Sequence, residues 1–399
     1  MPKLNSHVNI RSVYIGSDTN PFFFAKTLHS IKPPFIDTKC KPAYLKWYED
    51  QLLVVPDAAP PAITNIYEHL YQIHPSDDAE VPLAAISDKD SIWDKQRHRT
   101  EIVGDIYGYN AEFERYYERM ADCSTFLAYA FNDDGLRLKH ANFCRVRHCP
   151  VCQWRRSLLW KANMYVAYDE IKEKYPTHRW LFLTLTVKNC EITDLRETLK
   201  HMNDSWHKLV KRVKFLRGVE GWIKTTEVTK REKDGTAHPH FHAMLLVKPS
   251  YFAKNYIKQS EWSELWQSVL KVEYLPVVDV RVVKAKKKKD VEIYSIDDAI
   301  KSAIMETLKY SVKPADMIGD GTSVSNEWFY ELTRQCYKLR FVSSGGALKD
   351  ALKRDDEITD DDLVNINQED IEGDIDDRRL VFTYKKAIHQ YLYNPQFNN

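Results

Sequence analysis

The chain is predicted to be α+β: a split βαβ domain with a central antiparallel sheet covered by helices. A small cysteine-bearing module precedes it, and a mainly helical N- and C-terminal periphery flanks it. Three observations predict this. Short apolar strand segments recur at 181–187, 221–229, 237–247 and 277–283. Helical periodicity separates the first strand from the second and the third from the fourth. A turn-forming Asp234-Gly235 joins the second and third directly.

Taken in order, Leu181 to Val187 reads as a strand. Leu195, Leu199, Met202, Trp206, Leu209, Val213 and Leu216 then alternate by four and three, the spacing of one helical face. A hairpin follows, then a helix near 260–271, a strand at 277–283 and a helix from Asp297 to Lys313, in which Ile300, Ala303, Ile304, Thr307 and Leu308 form the apolar stripe. The order β-α-β-β-α-β-α is that of a split βαβ arrangement. Trp328 to Phe341 and Leu380 to Tyr393 are each expected to form one more helix. The expected domains are an N-terminal extension of unassigned role (1–110), the cysteine module and a helix (111–175), the central domain (176–318) and a C-terminal helical region (319–399).

The hairpin holds the most informative residues. Strand side chains alternate between faces, so His238, His240 and His242 project one way while Phe241, Ala243, Leu245 and Val247 project the other. If Asp234-Gly235 is a two-residue turn, Lys233 faces Thr236 and Glu227 stands opposite His242. Val228 then pairs with Phe241 and Trp222 with Val247, so that apolar residues share a face. Two imidazoles and a carboxylate gathered in this way suit a divalent metal with positions left open for a substrate, His238 being outside the set. The alternative is a row of histidines on a solvated face.

On the helix ending near Pro314, Glu306, Tyr310 and Lys313 share one flank, since residues three and four apart are neighbours. Pro314 disfavours helical geometry at Lys313 and places Tyr310 in the last turn. These residues carry a resemblance. The strand Leu181-Phe-Leu-Thr-Leu-Thr, the His240-Phe-His242 strand and Glu306-x-x-x-Tyr310-x-x-Lys313 follow one another in the order of the three motifs of plasmid rolling-circle replication initiators. The chain thus resembles the single-tyrosine branch of the HUH endonuclease superfamily over roughly its middle half.

The resemblance implies that Tyr310 attacks a DNA phosphate, giving a 5′-phosphotyrosyl bond and a free 3′-OH that primes a polymerase. A protein nucleophile conserves the phosphodiester energy that water would dissipate. Lys313 would stabilise the phenolate and the developing charge. A metal (Mn²⁺ or Mg²⁺) on His240, His242 and Glu227 would act as Lewis acid. Glu306 would activate water in the terminating cleavage; its plain alternative is a solvated helix residue. The implied partners are origin DNA, single-stranded or extruded as a hairpin, with the host helicase and DNA polymerase; a homodimer stays open.

Cys123, Cys144, Cys149 and Cys152 offer four thiolates, and Cys149-Pro-Val-Cys152 is a tight knuckle able to present two of them to one tetrahedral Zn²⁺. Structural zinc is expected because four thiolates leave no open position; buried free thiols are the alternative, and His148 is a substitute ligand. Arg145, Arg147, Arg155 and Arg156 surround the knuckle and are expected to contact DNA phosphates. Lys286 and Lys287, in a run of four lysines, read equally as a DNA-contacting or a merely solvated loop.

Formal net charge is only +1, but the segment from Asp355 to Asp377 holds twelve Asp and Glu and no Lys or Arg. The remainder carries 58 basic against 45 acidic residues. A basic body with an acidic segment suits a phosphate-binding protein, and the segment itself reads as unstructured. Seven cysteines, no apolar run of membrane-spanning length and no secretory core at the start lead to the expectation of a bacterial cytoplasmic protein. Two rival functions remain: an HUH transposase or relaxase, for which a third histidine would usually replace Glu227, and a non-catalytic, zinc-containing single-strand-binding protein, which would carry exposed aromatics on the central strands.

Overall fold

The computed structural model describes residues 81–132, 135–285, 295–309, 323–354, 356–366 and 376–395. Tyr310, Lys313, Lys286 and Lys287 lie outside these residues, as do the first 80 positions and part of the acidic segment. After a single helical turn at Leu83–Ile86, the helices are α1 (Ile92–Gly108), α2 (Glu114–Ala121), α3 (Pro150–Lys174), α4 (Leu195–Leu209), α5 (Val213–Gly218), α6 (Gln259–Leu270), α7 (Ile296–Thr307), α8 (Ser323–Gln335) and α9 (Asp360–Val364). The strands are β1 (Phe126–Asn132), β2 (Gly135–Ala141), β3 (Arg179–Thr186), β4 (Val219–Lys230), β5 (Ala237–Val247), β6 (Val278–Val282), β7 (Val342–Gly346), β8 (Asp376–Lys385) and β9 (Gln390–Tyr393). Among the described residues no helix is long and apolar enough to cross a membrane.

The larger sheet is antiparallel and has the order β6-β3-β5-β4-β7. Because side chains alternate, its two faces build two separate cores. Leu181, Leu183, Leu185, Phe241, Ala243 and Leu245 pack under α4 and α6, where Leu199, Trp206, Trp262 and Trp266 are buried. Trp180, Phe182, Ile223, Met244 and Leu246 on the other face pack under α3 and α7, against Leu159, Met164, Ile300 and Ile304. The second face is apolar at one end only. Toward the other end, the same alternation brings Thr184, His242, Thr225 and Glu227 together on this face beside the end of α7.

A smaller sheet, β2-β1-β8-β9, joins the strands at 126–141 to the last two strands of the described chain. The helix expected at Leu380–Tyr393 is therefore a β-hairpin. Leu380-Val-Phe-Thr-Tyr384 is β-branched and aromatic, and Leu380 and Phe382 bury the same face against β1, which would otherwise end in an open edge. The helix expected at 328–341 runs instead from Ser323 to Gln335, and Val342 begins β7. Nor is the acidic segment wholly unstructured. Thr359 caps α9 through the Asp362 N–H, and Leu363 and Val364 are buried.

The hairpin turn also differs from expectation. Glu227 pairs with His240, Val228 with Pro239 and Trp222 with Leu245. The loop is four residues wide: Gly235, at φ 70°, donates to the Arg231 carbonyl, and the Asp234 carboxylate accepts from the Thr236 N–H and hydroxyl. Glu227 is thus two residues from its expected partner. A slip of two leaves every side chain on its original face, so the grouping of the site survives.

Candidate metal and nucleic-acid site

Glu227 Oε2 lies 2.9 Å from His242 Nε2 and 3.3 Å from His240 Nε2. The three side chains are sheltered, with 4% of Glu227, 10% of His242 and 12% of His240 exposed. Both imidazoles are held from behind. His242 Nδ1 meets the Thr184 hydroxyl at 3.2 Å, and His240 Nδ1 is 3.3 Å from the His238 carbonyl. Both imidazoles turn Nε2 toward the same carboxylate oxygen, the atoms that a shared ion would bind. Donor separations of 2.9 and 3.3 Å match adjacent ligands on an ion with bonds of about 2.1 Å. The trio can therefore hold a metal ion. His238 stands apart, its Nδ1 2.8 Å from Asn189 Oδ1.

Burial works to raise the Glu227 pKa, but hydrogen bonds from His240 and His242 and the charge of Lys309 hold it well below the usual carboxylate range. The Lys309 ammonium is 3.3 Å from Glu227 Oε2. The end of α7 is fixed to the same place: the Thr225 hydroxyl donates to the Thr307 carbonyl at 2.7 Å, and the Ser157 hydroxyl of α3 donates to that of Leu308. Thr225 is the register partner of His242, so one strand pair positions both the donors and the helix terminus. Within the described residues, α7 ends at Thr307. Glu306 is exposed and faces Arg281 of β6 at 3.6 Å, on the same sheet face but two strands from His242.

Lys309, Thr184 and Thr225 had not been foreseen as site residues. Thr184 had a signal: a threonine in an apolar strand, in phase with the face that carries the histidines. Lys309 had none beyond its place beside Tyr310.

The four cysteines form one buried group. Cys123 Sγ is 3.6 Å from Cys149 and 3.7 Å from Cys152, and Cys144 Sγ is 3.6 Å from Cys152. Tetrahedral Zn–S bonds of about 2.3 Å separate their sulfurs by about 3.8 Å, so the donor set fits a structural metal. Cys149 caps α3 with Pro150 in its first turn, which brings Cys152 beside it. Burial raises the Cys149 thiol, yet hydrogen bonds from Cys123, Cys144 and Cys152 outweigh it and hold its pKa well below the ordinary thiol value. His148 lies outside the sulfur group; its ring meets Phe329 at 5.7 Å, and burial pushes it down to about 3.

Between the two centres runs a cleft of about 230 Å³, lined by Arg145, Arg147, Arg156, Trp160, Thr225, Phe341 and Lys309. It abuts the carboxylate–histidine group through Thr225 and Lys309. Arg145 is exposed beside Asp360 at 2.8 Å, and Arg147 stacks on Phe341. Arg155 is not on this surface. It is buried, donates to the Leu363 and Val364 carbonyls, and stacks on Trp93 and Trp154, which makes it a core residue that anchors α9.

Fold and site together define an antiparallel-sheet protein with an open two-histidine, one-carboxylate centre, a closed four-cysteine centre and a basic cleft joining them. A replication protein family model matches residues 135–392. The chain belongs to this family, and the expected kinship with plasmid replication initiators stands. It is 34% identical over 270 residues to the Protein rep of Streptococcus pneumoniae serotype 2 (strain D39 / NCTC 7466), covering 67% of this chain and 80% of that one. It is 38% identical over 267 residues to the Protein rep of Bacillus amyloliquefaciens, covering 64% and 78% respectively. A replication protein of Staphylococcus aureus is 34% identical over 210 residues, 51% of this chain and 86% of its own. No solved structure matches the chain.

Proposed function

We propose that this chain starts rolling-circle replication of a bacterial plasmid by nicking one strand at the double-strand origin, as a single-tyrosine HUH endonuclease. The reading takes residues 176–318 as the nuclease domain, whose strand order β6-β3-β5-β4 follows the split βαβ pattern, and 111–175 as its zinc module. The observation that carries it is the Lys309–Glu227 contact. Lys309 is the chain neighbour of Tyr310, and its contact with Glu227 supports a nucleophile that acts beside the donor group.

In this scheme the Tyr310 oxygen attacks the scissile phosphorus, the P–O3′ bond breaks, and the 3′ oxygen takes a proton to become the primer for the host polymerase. A Mn²⁺ or Mg²⁺ ion held by His240, His242 and Glu227 supplies Lewis acidity when bound. Lys309 and Lys313 offset charge at the phosphate, and Arg145, Arg147 and Arg156 grip the flanking strand, with Lys286 and Lys287 as further contacts. Glu306 serves as base for the water that ends the last cut, and Zn²⁺ fills the cysteine centre. The protein would act in the bacterial cytoplasm with a host helicase.

A single-stranded origin oligonucleotide incubated with the protein and Mn²⁺ should yield an adduct that survives denaturation. Tyr310→Phe should abolish it while origin binding persists. An undiminished adduct in that variant would remove Tyr310 from the scheme. In the same assay Glu306→Ala should still form the adduct but release the closing strand poorly; loss of the first cut would make Glu306 a positioning residue instead.

A further inference from the structure

A second histidine–carboxylate group lies outside the region just described. His98 and Glu101 are neighbours on α1, three residues apart, and His389 ends the turn between β8 and β9. His389 Nδ1 is 3.2 Å from Glu101 Oε2 and His98 Nδ1 is 3.7 Å from it. The donor atoms all lie within 4.8 Å of one another, and the imidazole centroids are 3.9 Å apart.

Three features set this group apart from an ordinary surface ion pair. Glu101 is only 7% exposed, so its carboxylate is costly to leave without a cation. Arg97, on the same helix, is spent elsewhere: its guanidinium donates to the Met120 and Ala121 carbonyls and stacks on Tyr384. His98 Nδ1 is buried without a hydrogen-bond partner and is turned toward the carboxylate. The Tyr384 hydroxyl donates to Glu101 Oε2 at 2.9 Å, which orients that oxygen as outer partners of metal carboxylates do.

We propose that His98, Glu101 and His389 bind a divalent transition ion of the Zn²⁺ class, clipping α1 to the β8–β9 turn. Two imidazole nitrogens and one carboxylate oxygen suit such an ion better than Mg²⁺ or Ca²⁺. Tetrahedral bonds of about 2.0–2.1 Å separate ligand atoms by about 3.3 Å, close to the observed 3.2 and 3.7 Å. The histidines are 43% and 47% exposed, so an ion reaches the site from solution. The clip joins residues almost 300 positions apart. It also braces the cysteine centre, since Thr100, adjacent to Glu101, meets Cys149 Sγ at 3.6 Å and accepts from the Val151 N–H.

The test uses the full chain with zinc retained in its cysteine centre, carrying His240→Ala and His242→Ala so that the other histidine site is removed. Titration with Co²⁺ should develop visible d–d absorption lacking thiolate charge transfer, saturating at one equivalent and displaced by Zn²⁺. Adding His389→Gln, or separately His98→Gln, should weaken this binding about tenfold or more. Zn²⁺ should raise the melting temperature of the protein with the trio intact and not that of the His389→Gln protein. Should the parent variant fold poorly, the same Co²⁺ titration of otherwise wild-type protein with and without His98→Gln should differ by one equivalent. Equal Co²⁺ binding with and without the two glutamines would overturn the proposal and leave only side-chain contacts at Glu101.

Discussion

The cysteine centre and the histidine–carboxylate centre lie on either side of one basic cleft and teach opposite lessons about donors. In the first, four sulfurs 3.6–3.7 Å apart sit in a core with no exposed surface to speak of, and they use up a tetrahedral ion's positions. In the second, three donors on one sheet face gather beside Lys309 and would fill only three of an ion's positions. A closed set can supply only folding energy. An open set can accept a phosphate oxygen. The difference comes from placement: the thiols stand where three elements converge, the imidazoles along one face of a single strand, with Glu227 on its hairpin partner.

Removing His240 or His242 should test this contrast most severely. Alanine at either should cut nicking by about 10³-fold or more, the rate equivalent of several kcal/mol of lost charge stabilisation, with little change in melting temperature. His238→Ala should retain substantial activity, since that ring is held by Asn189. Equal losses from all three would erase the distinction between ligand and neighbour.

Cys149→Ser should do the reverse. Loss of a metal site is among the few changes that exceed about 4 kcal/mol, so folded yield and melting temperature should fall sharply. Nicking per correctly folded molecule should hold. A variant that melts normally yet cannot nick would place the cysteines in the chemistry.

Behind the open centre, on the opposite sheet face, Lys224 is 2% exposed; its ammonium lies 3.8 Å from the Phe241 ring centroid and donates to Asn203. Burial pushes its pKa down from 10.5 to about 7. Between those values the unfolded chain holds a proton that the folded chain has released, so stability rises with pH across pH 7–10. Below pH 7 both states are protonated and the penalty is full. Lys224→Met should therefore stabilise the protein by on the order of 3 kcal/mol at pH 6, an advantage that shrinks toward pH 10. Denaturant melts of both proteins across that range would read it; a pH-independent difference would mean the lysine stays charged inside.

The smallest expected effect concerns support of the open set. Thr184→Val removes the hydroxyl at His242 Nδ1 and should weaken Mn²⁺ binding about tenfold while sparing the fold. Unchanged affinity would show that Glu227 alone orients His242.

Much of the site was readable from residue order. The alternation in Ala237–Val247 assigned His240 and His242 to one face and Phe241, Ala243 and Leu245 to the core, and the structure has them so. The turn was misjudged, because Asp-Gly marks a reversal without stating loop width: Asp234 caps Thr236 within a four-residue loop. The metal group tolerated that error because a slip of two preserves faces. No such protection covered Leu380–Tyr393, where helix and strand patterns are both short and the decision belonged to β1, some 250 residues earlier.

By itself the sequence determined which side chains gather as candidate donors: three on paired strands and four cysteines around a proline-started helix. These follow from backbone period and local capping, which neighbours a few residues away already settle. Only the tertiary structure decided that Lys309 meets Glu227, that Arg155 is a core anchor while Arg147 lines the cleft, and that His98 and Glu101 stand beside His389. Such contacts join positions whose approach is set by the packing of whole helices and sheets. Closing a longer loop costs only logarithmically more, so separation in the chain leaves no local pattern to mark which distant residues will meet.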